Sequence, residues 1–242
     1  MVTPSRAGNS TSFEERQFAH FDELWSGTLQ NAGSREFLTP NGAELFWTII
    51  FRLPSQTWHA SPLLDTYAQL QKVCSRHRFY SDEQLHLTVV GLGLAAAWRD
   101  ELSELRRILK STTERCGKIR PRLCGLNILN DTIIAQVIDT SGELAKLSAE
   151  LTRHCQTLDG KSSFSASLHE ELWWITLARL AASPSEAELA FISSHRRSEF
   201  GQFDLSRLAL TETNRTFDLE RTQLIYEVSI TPEAQVHASE LE

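Results

Sequence analysis

Apolar and polar positions alternate with period two along Glu44–Leu53: Trp47, Ile49, Phe51 and Leu53 fall on one side, Phe46, Thr48, Ile50 and Arg52 on the other. Successive side chains of a strand point to opposite faces, so this stretch predicts a strand, stopped by Pro54. Gln84–Gly93 reads the same way, with a polar lead-in at Ser81-Asp82-Glu83 and glycines where it ends. On it His86, Thr88 and Val90 share a face, and Leu87 and Val89 tend toward the other. Leu172–Arg179 is a third strand-like stretch. Arg120–Leu129 and Thr132–Ile138 predict a hairpin across Asn130-Asp131, residue types that tolerate a positive φ. Two more strands, about Leu205–Thr213 and Thr222–Ile230, precede a polar tail.

The intervening segments repeat at helical spacing. Ser12 and Glu15 form a capping-box pair opening a helix with Phe13, Phe18, Phe21, Leu24, Trp25 and Leu29 near one face, ending at Asn31-Ala32-Gly33. It lies before the body of the chain and is expected to dock against the first lobe. Ser61-Pro62 starts a helix carrying Leu63, Tyr67, Leu70 and Cys74. Trp98, Leu102, Leu105, Leu109 and Thr112 mark another, ending near Gly117. Thr140 with Glu143 is expected to cap a helix bearing Leu144, Leu147, Leu151, His154 and Leu158. A Ser-rich loop, Asp159–Leu168, follows, and Ser183-Pro184-Ser185-Glu186 opens the last helix with a capping box. The predicted fold class is α+β, two pseudo-symmetric lobes whose antiparallel sheets face a central groove with helices outside. The segments are an N-terminal extension (1–40), a two-lobed domain (41–232) and a tail (233–242).

Two short motifs sit on the second and third strands. His86-Leu87-Thr88-Val89 puts an imidazole and a hydroxyl on one sheet face, where both can touch one anion or sit half-buried as packing. Trp174-Ile175-Thr176-Leu177-Ala178-Arg179 repeats the spacing with Trp174 in the place of the histidine. The pair resembles the two His-x-Thr/Ser-hydrophobic signatures of the 2H phosphoesterases, the superfamily of 2′-5′ RNA ligase-like proteins and cyclic nucleotide phosphodiesterases. The likeness spans roughly Glu44 to Ile230; the first signature is complete, and the second departs only at Trp174.

The resemblance implies phosphodiester chemistry without a metal or other cofactor. His86 is the acid/base residue, Thr88 and Thr176 hold the phosphate, and Arg179 adds positive charge near the groove, although its odd spacing from Trp174 points it to the opposite face of an ideal strand. The implied ligand is a nucleotide or RNA end with a 2′,3′-cyclic or 2′-5′ linkage. Trp174 cannot do the second histidine's work, because an indole N–H does not titrate in water; it can narrow the groove or stack on a base. Three readings therefore stand side by side: an enzyme with a substitute acid (His169 or Glu170), a one-histidine enzyme, and a catalytically impaired protein that binds a nucleotide or a protein partner.

Composition narrows the classes. The 242 residues, 41% hydrophobic and 23% charged, suit a soluble globular protein with a sizeable core. A formal net charge of −7 argues against gripping long duplex nucleic acid, which needs a broad Lys/Arg surface. No apolar run is long enough for a membrane helix and Met1–Ser12 lacks an apolar leader core, so a cytoplasmic protein is expected. Cys74, Cys116, Cys124 and Cys155 have no metal-type spacing and are expected as reduced, buried thiols.

Overall fold

A computed structural model describes residues 12–30, 44–53, 61–159 and 172–230. The strands are β1 (Phe46–Arg52), β2 (Arg78–Phe79), β3 (His86–Leu94), β4 (Arg122–Leu129), β5 (Thr132–Ile138), β6 (Trp173–Arg179), β7 (Glu199–Gln202), β8 (Arg207–Thr213) and β9 (Gln223–Ser229). The helices are α1 (Phe13–Gln30), α2 (Leu63–Val73), α3 (Leu102–Thr113), α4 (Glu143–Asp159) and α5 (Glu186–Ser194). The fold is α+β, as the alternating and helical periodicities predict. The Ser-rich loop, His169, Glu170 and the polar tail lie outside the described residues.

All the strands join one antiparallel sheet in the order β7-β4-β5-β6-β3-β1-β8-β9, with β2 attached to β6. Its two halves, β7-β4-β5-β6 and β3-β1-β8-β9, correspond to the two expected lobes, and they meet through a single register pair, Leu87↔Ile175. Both residues are fully buried. One face of the sheet lies over the main core, where Leu63, Leu70, Leu105, Leu147, Leu151 and Ile192 of α2–α5 pack with Leu87, Ile133, Val137 and Ile175.

The hairpin turns where expected, with Asn130 at φ 52°, a conformation in which Asn is enriched. Ser12 and Glu15 form the capping box of α1: the Glu15 N–H donates to Ser12 Oγ (3.2 Å) and the Ser12 N–H to Glu15 Oε2 (2.7 Å). At α5 the box forms two residues later than the Ser183-Pro184-Ser185-Glu186 start predicts, between Ser185 and Glu188. Two more expectations need correction. Asp139, not Thr140, caps α4: its carboxylate accepts from the N–H groups of Ser141 (3.2 Å), Gly142 (2.9 Å) and Ala145 (2.9 Å). An aspartate buried at the end of β5 reaches the orphan donors that the sequence pattern assigned to a threonine.

The second correction concerns α1, which docks on β4 and β5 of the second lobe rather than on the first. There Phe21, with Phe18 and Leu24 beside it, packs on Cys124, Leu129, Ile134 and Ile138, and Trp174 joins the same cluster. The contacts are specific as well as apolar. Gln17 donates to the Asp139 carbonyl (3.1 Å) and accepts from its N–H (3.0 Å). Asn127 donates to Phe21 O (2.8 Å) and Thr28 to Ile128 O (3.1 Å). Asp22 pairs with Arg196 and Arg197, and Glu14 with Arg122. Amphipathicity alone shows that α1 has an apolar face; which sheet half receives it depends on these tertiary partners.

Candidate phosphate site

The seam pair Leu87↔Ile175 fixes which side chains look away from the core. With both of these buried, alternation turns His86, Thr88, Trp174 and Thr176 toward the other face of the sheet. Their burial agrees: Thr88 is exposed, and His86, Trp174 and Thr176 are half-buried. Both motifs thus share one face across adjoining strands.

The local sequence orients His86 closely. Asp82–Gln84 forms a short 3-10 turn capped by Ser81, and Gln84 then works at both ends. Its carbonyl lies 2.6 Å from His86 Nδ1, and its side-chain amide donates to Phe217 O (2.8 Å). A carbonyl can only accept, so Nδ1 carries the proton and Nε2 keeps its lone pair. The Phe217 ring stacks on the imidazole, with centroids 3.8 Å apart and planes 21° apart. Phe217 itself sits at φ 52°, in a turn held together by Asp218, whose carboxylate accepts from Asn214 Nδ2 (2.7 Å) and Thr216 Oγ1 (3.0 Å).

Burial pushes the His86 pKa down to about 4, against the stabilising contact with the Gln84 carbonyl and with help from the Arg179 charge. His86 is therefore neutral at physiological pH, and an ordinary imidazole titration near 6.5 is not the property of this site. It is a base across the neutral range, not a cation.

The structure commits Arg179 to the protein. Its Nε donates to Tyr80 Oη (3.1 Å), Nη1 to Asp131 Oδ2 (2.8 Å) and Nη2 to Arg215 O (2.6 Å). Tyr80 in turn donates to Thr216 O (2.9 Å). Together they pin the turn that carries Phe217 against His86. Trp174 is also partly committed, since it packs in the α1 cluster. The hydroxyls of Thr88 and Thr176, by contrast, have no hydrogen-bond partner among the described residues.

A cleft of about 170 Å³ opens beside His86, with Ile50, Arg52, Glu83, Phe217, Leu219 and Leu224 in its wall. It lies on the first half of the sheet, away from α1. Sequence reasoning did not single out Arg52, Gln84, Tyr80 or Phe217 as site residues. Arg52 was legible as the charged residue on the strand face of Phe46, Thr48 and Ile50, but its register with His86 was not. Among the described residues, no group of three His, Cys, Asp or Glu side chains could hold a metal ion, and no helix is long and apolar enough to cross a membrane.

No protein-family profile matches the chain, and no curated protein matches it. Solved structures do. TT0787 of Thermus thermophilus superposes with a TM-score of 0.56 at 17% identity, over 78% of this chain and 99% of that one. E. coli LigT complexed with 3′-AMP gives a TM-score of 0.52 at 16% identity, and a structure described as a phosphoesterase gives 0.51 at 16%, with the same coverages of 78% and 99%. The chain therefore shares the fold of these structures, the fold that the resemblance of its two motifs implies.

Proposed function

We propose that this protein acts on the phosphodiester of a nucleotide or RNA end with a 2′,3′-cyclic or 2′-5′ linkage, with His86 as the general base. One observation carries the reading: His86 is held with Nδ1–H on the Gln84 carbonyl, leaving a basic Nε2 on the face that also bears the hydroxyls of Thr88 and Thr176. The resemblance to LigT, seen with 3′-AMP and with ATP, supports a nucleotide ligand.

The chemistry follows from what each group can do. Nε2 takes a proton from the attacking water as its oxygen bonds to phosphorus. The two threonine hydroxyls donate to non-bridging oxygens as negative charge builds there. The bond to the leaving oxygen then breaks, and that oxygen takes its proton from solvent, because Trp174 has none to transfer. A site lacking its acid favours a leaving group that departs with little help, and the ring strain of a 2′,3′-cyclic phosphate supplies this.

The second reading is a nucleotide- or partner-binding protein with impaired catalysis, favoured by the packing of Trp174 in the α1 cluster. Hydrolysis of a 2′,3′-cyclic nucleotide, compared between wild type and His86→Ala, separates the two. The enzyme reading expects a loss of about 10²–10⁴-fold, the usual contribution of a positioned base. Turnover equal in both proteins would overturn it, and absence of turnover in a wild type that still binds the nucleotide would establish the second.

A further inference from the structure

Arg52 is the cross-strand neighbour of His86: the two are register partners on β1 and β3, so their side chains leave the sheet on one face with Cβ atoms about 5 Å apart. Both line the same cleft. Arg52 is exposed and, among the described residues, has no carboxylate or carbonyl partner. Other arginines are engaged: Arg76, Arg78, Arg99 and Arg179 each hold an ion pair. Among the described residues, an unpaired guanidinium beside a neutral imidazole is the cationic group this cleft has free to offer, since each nitrogen of Arg179 already has a protein partner.

We propose that Arg52 is the residue that binds the substrate's phosphate, and that the cleft beside it takes the organic part of the same small phosphate ester. This rests on the phosphoester reading above and adds the cation and the substrate class to it. A guanidinium forks onto two non-bridging oxygens while Nε2 of His86 stays free for the nucleophile. The cleft wall of Ile50, Phe217, Leu219 and Leu224 accepts a partly apolar group, and Glu83 offers an acceptor to a hydroxyl or amino group on it. At about 170 Å³ the space is smaller than the roughly 300–1,000 Å³ of pockets that enclose drug-sized ligands. It suits one ring or sugar, so the ligand is of mononucleotide size, and α1 occupies the face over β4 and β5 that a longer chain would need.

Calorimetric titration with inorganic phosphate and with 3′-AMP, at low ionic strength, tests this on four proteins: wild type, Arg52→Gln, Arg52→Lys and Arg120→Gln. Arg120 is a surface residue near Asp204 and controls for the loss of one positive charge. Arg52→Gln should weaken both ligands at least about tenfold, the loss of a charge-assisted contact. Arg52→Lys should recover part of that loss, and Arg120→Gln should match wild type. With 3′-AMP binding more tightly than phosphate, the cleft holds the organic group. Arg52→Gln within twofold of wild type, or no weaker than Arg120→Gln, would overturn the assignment. The base reading is judged separately by turnover of His86→Ala, so either can fail without the other.

Discussion

Leu87 faces Ile175 across the single register pair that joins the two halves of the sheet, and both side chains are fully buried. This contact holds His86 and Thr176 on adjoining strands, so packing on the core face sets the geometry on the other. Leu87→Ala should cost about 2–5 kcal/mol, the range for a buried leucine whose cavity closes only in part. Denaturant melting checks the cost. Phosphate binding should weaken at the same time, even though Leu87 touches no ligand.

The depressed pKa of His86 carries a signed prediction for pH. Its folded value, about 4, lies below the unfolded value of about 6.5. The unfolded chain therefore takes up the proton first as pH falls. Stability is unaffected above about pH 6.5, declines between there and about 4, and loses nothing further from this group below that. The loss should approach about 3 kcal/mol and be absent in His86→Gln, as measured by melts at pH 7 and pH 4.5. Turnover should therefore be lost on the acid side only near pH 4 rather than near 6.5.

Arg179 adds its charge to the burial that lowers the His86 pKa, and pins the turn carrying Phe217 through Tyr80, Asp131 and Arg215. Arg179→Met should raise the imidazole pKa, followed by NMR of the ring, because a positive charge is gone. It should also destabilise the protein by about 3–5 kcal/mol, since Asp131 is buried and loses its counter-ion.

Trp174→His restores a titratable group where the motif lacks one. Turnover of a 2′,3′-cyclic nucleotide should rise at least tenfold, within the about 10²–10⁴-fold reach of a positioned acid. The same change strips packing from the cluster around Phe21 and Ile134 and should lower stability by about 2–4 kcal/mol, so the melting temperature must be read alongside. Weaker nucleotide binding with no gain in turnover would show that the indole is a stacking platform.

Asp139 anchors two elements at once, capping α4 through its carboxylate and receiving Gln17 of α1 through its backbone. Asp139→Ala should cost about 1–2 kcal/mol for the lost cap. Gln17→Ala should cost about 1–3 kcal/mol by leaving a buried N–H and carbonyl unpaired, and should loosen α1, read as faster amide exchange along Phe13–Gln30.

What the sequence determined by itself was local and periodic. Alternation located the strands, the Asn130-Asp131 loop located the hairpin, and Ser12 with Glu15 and the Ser183-Pro184-Ser185-Glu186 stretch marked where helices open, the latter within two residues, because each signal acts between residues near in the chain. The two motifs with their shared spacing carried the fold as a resemblance. β2 and β7 escaped, being too short for a period to register. Tertiary structure alone decided the rest: that Asp139 rather than Thr140 caps α4, that α1 covers the second half of the sheet, that Arg179 is consumed by Asp131, Tyr80 and Arg215, and that Arg52 stands beside His86. Each depends on partners far along the chain, and burial, which gives His86 its low pKa, exists only once those distant segments have packed around it.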